Sequence, residues 1–564
     1  MLGRSSTVFV TMGFTTEPWE ENQWVPPTPI SADRLDFYLK LTGYDAFESE
    51  FLISGFKAGF RLGHDGVLNS HLVANDVSIV QNLQATYDKI NEECEAGRIA
   101  GPFSEIPFSF LKSTEFHASP IKIIPKKEPG KFRILDNLSA PYDGSGINQN
   151  IPDDKARVKY ESVQSAIEKL CTMEPGAFSC KADVLHAFRL LPYHPEDYRK
   201  LVFSIGNDIY VNLCAVMGSR SSCQLWERFA KALHHIVAYL INESNCVPGT
   251  GGDLAHMMDD FFFMHQTLEG CLDVRNTFLA VCTDIGVPIA PEKTTEPSTV
   301  TTFLGITLNT VKEEASLPRE KILEYVQDIL VALQLQRMSV KQLQSLAGKL
   351  NFACMIIPAK PFLRRIFDTI AAFGEERFCF LSVETKKDLT MVKEFLVDFN
   401  GLALYRLYDP FREAQLHVGA DACKLGFGAT LGKEWIQCAF PPSWSRVHIS
   451  VKELLPIFII VSMYQDRLAD SIVRFHTDNT QSMEVVNRQS SRNKVTMKLM
   501  RRLVLILMRR NIHLKAEHIP GIDNELNDKI SRFQVTQELL RKYSMNSHPS
   551  PVPPQLWPQN LKLF

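Results

Sequence analysis

The sequence lacks three features: closely paired cysteines, a long apolar run and a large net charge. Its 12 Cys form no Cys-x-x-Cys pair, which excludes that zinc-site spacing and a small disulfide framework, so we expect reduced cysteines in an intracellular protein of the cytoplasm or nucleus. The longest apolar run, residues 454–464 apart from Ser462, is too short to span a bilayer, and the N-terminal residues lack a signal-peptide pattern, so no membrane contact is expected. With a net charge of −3, attraction to phosphate must come from local patches.

The most informative stretch is residues 257–263, in which Asp259 and Asp260 stand between large apolar residues. Burying charge is costly, so adjacent carboxylates in an apolar strand pattern call for a cation that offsets their repulsion. The flanking residues predict two short strands, 256–258 and 261–265, with the doublet at the tip of a hairpin. A plain turn is the alternative, because Asp is a common turn former.

A third acid, Asp183, ends the segment 178–183, which has the pattern of a strand. Asp183 could instead be the N-cap of a helix. Three carboxylates that converge on one point are the usual way to hold two Mg²⁺ ions for phosphoryl transfer. The three acids therefore predict a two-metal site.

The order of these motifs resembles the palm of a reverse transcriptase. Asp183 matches the first catalytic Asp, and Asp259 and Asp260 match the doublet of Tyr-x-Asp-Asp, with Met257 in place of the aromatic residue. The segment 216–229 stands where the template-gripping motif belongs. The resemblance implies two Mg²⁺ or Mn²⁺ ions on the three aspartates, an RNA template, a DNA primer and deoxynucleoside triphosphates.

Further motifs extend the resemblance towards the C-terminus. Residues 291–293 and 303–306 are similar to the next two family motifs. The resemblance implies that Lys293 lies on the phosphate side of the nucleotide and that residues 303–306 are the primer grip.

A basic turn joins two predicted strands in residues 121–138. It could be a solvated hairpin tip. The family resemblance favours a second interpretation, in which Lys126 or Lys127 and Arg133 contact the triphosphate, since guanidinium groups suit several oxygens at once. The sequence does not decide between the two lysines.

Two further residues could contact the nucleotide or the template. Phe188 lies five residues after Asp183, where the family carries an aromatic that crowds the sugar 2′ position, although a Phe in a helix is commonly a core residue. Gln224 and Arg220 could touch nucleotide or template, or could lie on a helix surface.

A second set of acids lies in the last third of the chain. Asp421 and Asp478 each end a predicted strand, and Glu453 and Asp528 each lie near the start of a predicted helix. Glu453 has an alternative role, because Ser450-Val-Lys-Glu453 is also a capping box. Four acids in this order, with the motifs His-Ile-Pro-Gly and Ser-Arg, resemble ribonuclease H, with Asn527 replacing the family's Ala. The resemblance implies a second site with two metal ions that cleaves the RNA strand of an RNA–DNA hybrid.

Basic residues are concentrated in 487–516, which holds nine Lys or Arg and no acid. Such a run can be a solvated helix face. Its place beside a nuclease motif also fits contact with the phosphates of a hybrid.

Together the motifs predict an α+β multidomain protein, a right-hand polymerase of fingers, palm and thumb followed by an α/β ribonuclease H-like domain. Apolar stripes, among them Leu343, Leu346, Ala347 and Leu350, predict helices in the thumb. The expected divisions are an N-terminal arm (1–75), fingers and palm (76–310), a helical thumb or connection (311–405), a ribonuclease H-like domain (411–540) and a Pro-rich tail (541–564).

The segments 52–63 and 342–352 are similar to those of DIRS-type retroelement polyproteins, which carry a tyrosine recombinase. The resemblance implies that recombinase or integrase and capsid proteins of the same element are partners, since none is recognised in this chain. A protein of another class, a catalytically silent nucleic-acid-binding relic or host-adopted scaffold, is the alternative.

Overall fold

The computed structural model describes residues 25–561 except 69–70, 127, 245–250, 336, 358, 375–376, 399–402 and 405–415. The expected arm around Trp19 and Trp24, the candidate Lys127 and the start of the predicted domain at 411 lie outside the described residues. The chain divides into two compact units. Unit 1 comprises residues 1–169 and 177–299, and unit 2 comprises residues 170–176 and 300–564.

Unit 1 alternates helices with short strands. The helices that begin in it are α1 (Ala32–Leu41), α2 (Ala46–Ala58), α3 (Val77–Gln81), α4 (Leu83–Glu95), α5 (Phe108–Leu111), α6 (Val163–Cys171), α7 (Ser222–Ser244) and α8 (Leu268–Ile285). Its strands are β1 (His71–Leu72), β2 (Ile99–Phe103), β3 (His117–Ala118), β4 (Ile121–Pro125), β5 (Phe132–Asp136), β6 (Phe178–Asp183), β7 (Val202–Ile205), β8 (Asp208–Asn212), β9 (Asp253–Met257) and β10 (Asp260–His265). Short 3₁₀ helices occupy Ile147–Asn150, Asp153–Lys155, Ala187–Leu190, Pro195–Lys200 and Pro291–Lys293.

A three-stranded antiparallel sheet of order β6-β10-β9 is central to the candidate polymerase site. Helices α7 and α8 pack against one another and against this sheet. Residues 261–264 of β10 are all fully buried, and the ring of Phe278 from α8 packs 4.5 Å from Phe261 and 5.0 Å from Phe263. Because successive side chains of a strand point to opposite faces, β10 is covered on both sides.

Two other sheets complete unit 1. Strands β4 and β5 form the basic hairpin expected from residues 121–138. A five-stranded sheet has the order β1-β3-β7-β8-β2.

Unit 2 begins with strands β11 (Val300–Phe303), β12 (Ile306–Asn309) and β13 (Glu314–Ser316), and continues with α9 (Arg319–Gln334), β14 (Met338–Ser339), α10 (Val340–Ala353), α11 (Lys360–Phe373), β15 (Phe378–Cys379), α12 (Val383–Asp398) and β16 (Ala403–Leu404). The later elements are β17 (Leu416–Ala422), β18 (Gly426–Leu431), β19 (Glu434–Ala439), α13 (Ile449–Met463), β20 (Ile472–Thr477), α14 (Thr480–Arg488), α15 (Lys494–Arg509), β21 (His513–His518), α16 (Glu525–Ser531) and α17 (Gln537–Lys542). Short 3₁₀ helices lie at Pro442–Trp444, Pro554–Leu556 and Pro558–Asn560.

The second half of unit 2 is organised around a five-stranded mixed sheet of order β19-β18-β17-β20-β21. Strands β17, β18 and β19 are antiparallel neighbours, whereas β17, β20 and β21 are parallel. Helices α13 and α16 pack on the sheet, and α13 is buried without interruption over residues 450–461. A helix that is apolar nearly all round belongs in such an interior position.

The predicted fold class is confirmed: the chain is an α+β protein of more than one compact unit, and its C-terminal sheet is of the mixed α/β type. The predicted thumb stripe of α10 is buried as expected. Among the described residues, no helix is both long enough and apolar enough to cross a membrane. The finer five-part division of the chain stays a prediction.

Candidate active sites

Asp183 and Asp260 are brought together by strand register. Antiparallel pairing of β6 with β10 places Asp260 directly opposite Asp183, and pairing of β10 with β9 places Asp260 opposite Met257. Met258 and Asp259 form the tight connection, and Met258 has a left-handed φ of 59°. The expected hairpin is present, with Asp259 in its tip and Asp260 at the start of the return strand. The alternative for Asp183, a helix N-cap, is wrong, because this residue ends β6.

Hydrogen bonds hold Asp183 and Asp259 in place. The Val184 amide donates to the Asp259 carbonyl at 2.9 Å, and the Ala290 amide donates to the Asp183 carbonyl at 2.9 Å. The Lys293 ammonium reaches the Asp183 carboxylate at 2.7 Å. The lysine therefore approaches the acids, where it offsets part of their negative charge.

The ionised forms of Asp259 and Asp260 are energetically unfavourable in this environment. Burial, followed by the charges of Asp183 and Asp259, raises the pKa of Asp260 to about 6. Burial and then Asp183 also raise the pKa of Asp259. For Lys293, burial is the largest single influence and opposes the charge, but the hydrogen bond to Asp183 and the charges of Asp183, Asp259 and Asp260 together raise the pKa of the lysine. Buried carboxylates that repel one another are the donor set that a hard divalent cation stabilises.

A cavity of about 510 Å³ opens beside the aspartates. Predicted residues from four separate segments line it, namely Lys126, Arg133, Asp183, Phe188, Asp259 and Lys293. Burial and then the charge of Arg133 lower the pKa of Lys126, so the basic side chains share one electrostatic environment. The cavity thus has acids and basic groups within the same walls, as a site for a metal-bound phosphate requires.

Four polar residues of the cavity wall were missed by the sequence analysis. The Arg189 guanidinium donates to Glu93 at 2.9 Å and to Asn212 at 3.2 Å, and Asn212 donates to the Asp136 carboxylate at 2.8 Å. Burial raises the pKa of Asp136 to about 6. Arg189 follows Phe188 directly, and Asp136 ends the second strand of the basic hairpin. The sequence therefore shows that both lie near candidate site residues, but it does not show that Asn212 connects them.

Gln224 and Arg220 lie apart from this cavity wall. The Gln224 amide donates to the carbonyls of Asp154 and Arg157, and the Arg220 guanidinium donates to the Ile151 carbonyl. Both side chains bind the loop of residues 151–157, and their contact with nucleotide or template stays a prediction. So does the primer-grip role of residues 303–306, which form the β11–β12 turn in unit 2.

In unit 2, the pairing of parallel strands collects the second set of acids. Gly419 of β17 lies opposite His476 of β20, so Asp421 and Asp478, each two residues further on, reach the same sheet edge. Carboxyl ends of parallel strands are common positions for ligand-binding groups.

Glu453 projects from α13 into this set of acids. The helix is capped by His448, whose ring nitrogen accepts from the Ser450 amide at 3.2 Å, so Ser450 lies inside the helix. The capping-box alternative for Glu453 is therefore wrong. Burial, then Asp421 and Asp478, raises the pKa of Glu453 to about 8. An uncompensated charge at this position is strongly disfavoured.

Polar partners orient the other acids. The Ser531 hydroxyl donates to Asp421 at 2.6 Å, and the Arg532 guanidinium donates to Asp528 at 2.7 Å. Burial raises the pKa of Asp421, although the bond from Ser531 counteracts it. The resemblance had singled out Ser531 and Arg532 as a motif, and the structure assigns each of them a carboxylate.

Asn527, the departure from the family pattern, is accommodated by a glycine. A Cβ on Gly419 would lie 2.4 Å from the amide nitrogen of Asn527, so a larger residue at position 419 would require this side chain to shift. Asn527 donates to Asn524 at 2.9 Å and accepts from Thr430 at 3.2 Å.

The basic segment divides into a buried and an exposed part. Arg501 of α15 reaches the buried carboxylate of Asp388 at 3.3 Å, and Arg365 donates to the same carboxylate at 2.9 Å. Arg492 and Lys494 are exposed at the start of the helix. Arg501 therefore has a structural role, whereas Arg492 and Lys494 are in contact with solvent.

Among the described residues, the group of His, Cys, Asp or Glu whose three ligand atoms all lie within 4.8 Å of one another is Glu161, His234 and His256, not one of the two sets of acids.

No family model matches the chain, and no curated protein matches it. Solved structures similar to it include the foamy viral protease-reverse transcriptase dRH in complex with ds DNA, at 14% identity and a TM-score of 0.47 over 89% of this chain and 84% of that chain. The foamy viral protease-reverse transcriptase in complex with RNA/DNA hybrid has 14% identity and a TM-score of 0.49, over 89% of this chain and 64% of that chain. Its complex with dsDNA has 14% identity and a TM-score of 0.46, over 89% and 99%.

Proposed function

We propose that the chain is a reverse transcriptase with a ribonuclease H activity, an RNA- and DNA-templated DNA polymerase that copies a retroelement. The observation that carries the proposal is the cavity in unit 1, where Asp183 and Asp259 share walls with Lys126, Arg133 and Lys293. A triphosphate with its metal ions needs these two kinds of group together, because the metals need carboxylates and the phosphates need cations.

In the polymerase site each side chain has a distinct task. Asp183, Asp259 and Asp260 would hold two Mg²⁺ or Mn²⁺ ions, which when bound stabilise the attacking and leaving oxygens. Lys126 and Arg133 would bind and orient the triphosphate, and the ring of Phe188 would exclude a ribose 2′-OH. Positioning and charge stabilisation account for most of the catalysis in phosphoryl transfer, and these residues supply both.

In unit 2, Asp421, Glu453, Asp478 and Asp528 would hold the metal ions of the ribonuclease H site. Glu453 has a pKa of about 8 without a cation, so metal binding there releases a proton and strengthens as the pH rises. Ser531 and Arg532 orient Asp421 and Asp528, so the donor atoms are held before a metal arrives.

A DIRS-type retroelement is the origin that we propose, on the strength of the segments 52–63 and 342–352. The substrates would be an RNA template, a DNA primer, deoxynucleoside triphosphates and an RNA–DNA hybrid. The recombinase or integrase and the capsid proteins would be separate partners.

Primer extension tests the proposal most directly. Purified protein should extend a DNA primer on both RNA and DNA templates with Mg²⁺, and should degrade the RNA strand of a hybrid. An Asp183→Asn variant serves as the matched control for contaminating polymerase. If a folded protein extends no primer with Mg²⁺ or Mn²⁺ and cleaves no hybrid, the silent nucleic-acid-binding scaffold is the better description.

A further inference from the structure

A second type of metal-ligating cluster lies in unit 1, apart from the aspartates. Glu161, His234 and His256 each offer one ligand atom, and these three atoms lie within 4.8 Å of one another. Glu161 precedes α6, His234 belongs to α7 and His256 belongs to β9. Three segments that are far apart in sequence thus supply one donor each.

The imidazole rings of His234 and His256 approach each other through the same ring atom, Nδ1. Their Nδ1 atoms are 2.9 Å apart, and the ring centroids are 5.0 Å apart. Two nitrogens bound tetrahedrally to one zinc ion, each at ~2.0 Å, lie roughly 3.3 Å from one another. The two nitrogens are therefore a few tenths of an ångström closer than two zinc ligands would be, and both rings would have to turn so that their lone pairs converge on the ion.

A buried carboxylate without a hydrogen bond supports the site independently. Glu227 is 2% exposed, and neither of its oxygens has a hydrogen-bond partner among the described residues. Its Oε1 lies 3.4 Å from the Nε2 of His256, which is itself buried without a hydrogen-bond partner. Metal-bound histidines commonly direct the second ring nitrogen at a carboxylate, which fixes the tautomer and increases the basicity of the ligand. With Nδ1 on a metal, His256 would donate from Nε2 to Glu227.

The helical spacing explains why Glu227 and His234 act on the same neighbour. They are seven residues apart on α7, which is close to two full turns, so both face β9. The ring of His256 also stacks on Phe261 of the adjacent strand, with centroids 5.4 Å apart, which fixes its orientation.

Neighbouring groups already contact the carboxylates of this cluster. Lys169 lies 3.7 Å from Glu161 and 3.3 Å from Asp253, and Lys231 lies 3.7 Å from Glu227. The His256 backbone amide donates to Oε2 of Glu161 at 2.8 Å, and a carboxylate has further lone pairs with which to bind an ion.

We propose that Glu161, His234 and His256 bind one Zn²⁺ ion, with Glu227 holding the ring of His256. Two imidazoles and one carboxylate form a donor set that suits zinc rather than Mg²⁺, because magnesium prefers oxygen ligands alone. The ion would join α7 to β9, the strand that leads directly into the hairpin of Asp259 and Asp260. It would thereby restrain the position of those acids without touching a substrate.

Zinc binding by the full chain tests the site. Metal-stripped protein would be titrated with Zn²⁺ against a chromophoric chelator, in excess Mg²⁺ so that zinc does not report on the carboxylate sites. We expect one tightly held Zn²⁺ per chain, which is lost in His234→Gln and in Glu161→Gln. Glu227→Gln should retain the ion with roughly 10- to 100-fold weaker affinity.

His235→Gln is the matched control, because His235 contacts the Thr42 carbonyl at 3.0 Å and should bind zinc as the parent does. Thermal unfolding checks that each variant is folded. If His234→Gln fails to fold, Glu161→Gln decides, since its side chain is partly exposed. Absence of a tight Zn²⁺, or equal retention by Glu161→Gln, would overturn the proposal. The readout does not depend on polymerase activity.

Discussion

Asp183 and Asp260 occupy directly opposite positions on the antiparallel strands β6 and β10. Side chains at opposite positions lie on the same face of a sheet, with Cβ atoms ~5 Å apart. Two carboxylates in this relationship repel one another, and the pKa of Asp260 is raised to about 6 by burial and by that repulsion. The sheet thus holds two acids of the candidate polymerase site close together, and a bound cation would reduce the repulsion between their charges.

The two candidate sites should be separable by mutation, because each has its own acids in its own unit. Asp259→Asn should abolish primer extension while cleavage of hybrid RNA persists, and Asp478→Asn should do the reverse. Loss of a metal-binding carboxylate should cost several kcal/mol of transition-state stabilisation, or roughly a thousandfold in rate. Primer extension and hybrid cleavage would be measured on the same preparations. Loss of primer extension in a folded Asp478→Asn protein would contradict the two-site description.

Stability of the metal-free protein should fall as the pH rises, in part because of Glu453. Its pKa is about 8 in the folded state and near 4.5 in the unfolded state, so the folded protein binds the extra proton between these values. The unfolded state then holds fewer protons, and the free energy of unfolding decreases with rising pH across this interval. Glu453→Gln should remove that part of the decrease.

Denaturant unfolding at pH 5 and pH 8, with a chelator present, measures the effect of Glu453. The difference in unfolding free energy between the two pH values should be smaller in Glu453→Gln than in the parent protein. Glu538→Gln, which removes an exposed carboxylate of α17, provides the control. Equal pH dependence in all three proteins would mean that ionisation of Glu453 does not destabilise the folded protein.

Sugar selection should depend on Phe188, which lines the cavity beside Asp183 and Asp259. Phe188→Ala should admit ribonucleotides, with discrimination reduced on the order of a hundredfold, because a clash in a packed site is relieved only by displacing the ring. The same residue is partly buried and packs against the core, so the substitution could instead cost stability, about 3–5 kcal/mol.

The ratio of deoxynucleotide to ribonucleotide incorporation, measured with the melting temperature, separates these two roles of Phe188. Phe103→Ala is the matched control, since Phe103 packs against the same core and does not line the cavity. It should lower the melting temperature and leave the ratio unchanged. A destabilised Phe188→Ala protein with an unchanged ratio would refute the sugar-selecting role.

The basic segment should contain residues of two kinds. Replacing the exposed Arg492 and Lys494 by Gln should weaken hybrid binding and flatten its salt dependence, because fewer counterions are released. Arg501→Gln should instead lower the free energy of unfolding by about 1–3 kcal/mol, since it removes a partner of the buried Asp388. Affinity measured at two salt concentrations, together with denaturant unfolding, distinguishes them. Unchanged affinity in the double variant would identify that face as simply solvated.

Local patterns in the sequence were sufficient for the elements that carry the acids. The alternation around Asp259 and Asp260 predicts a hairpin, the basic turn of residues 121–138 predicts a second one, and the stripe of α10 predicts a buried helix face; the structure has all three. These features depend on side-chain periodicity, which is set within a few residues of chain.

Competing local explanations could not be separated by the sequence. Ser450-Val-Lys-Glu453 satisfies the capping-box pattern with Ser450 as the N-cap, yet the N-cap is His448, two residues earlier. Asp183 fits an N-cap equally well until its strand is seen paired with β10. In each case tertiary packing selected among backbone states of similar local energy.

The sequence by itself determined the order and identity of the acids and the type of each element that bears them. The tertiary structure alone decided which distant groups meet: Arg189 with Glu93 and Asn212 in the cavity wall, and Glu161 with His234 and His256 behind the hairpin. Such contacts depend on how strands and helices pack across long separations in sequence. Local sequence patterns carry no information about these long-range contacts, so the partners could be identified only in the folded chain.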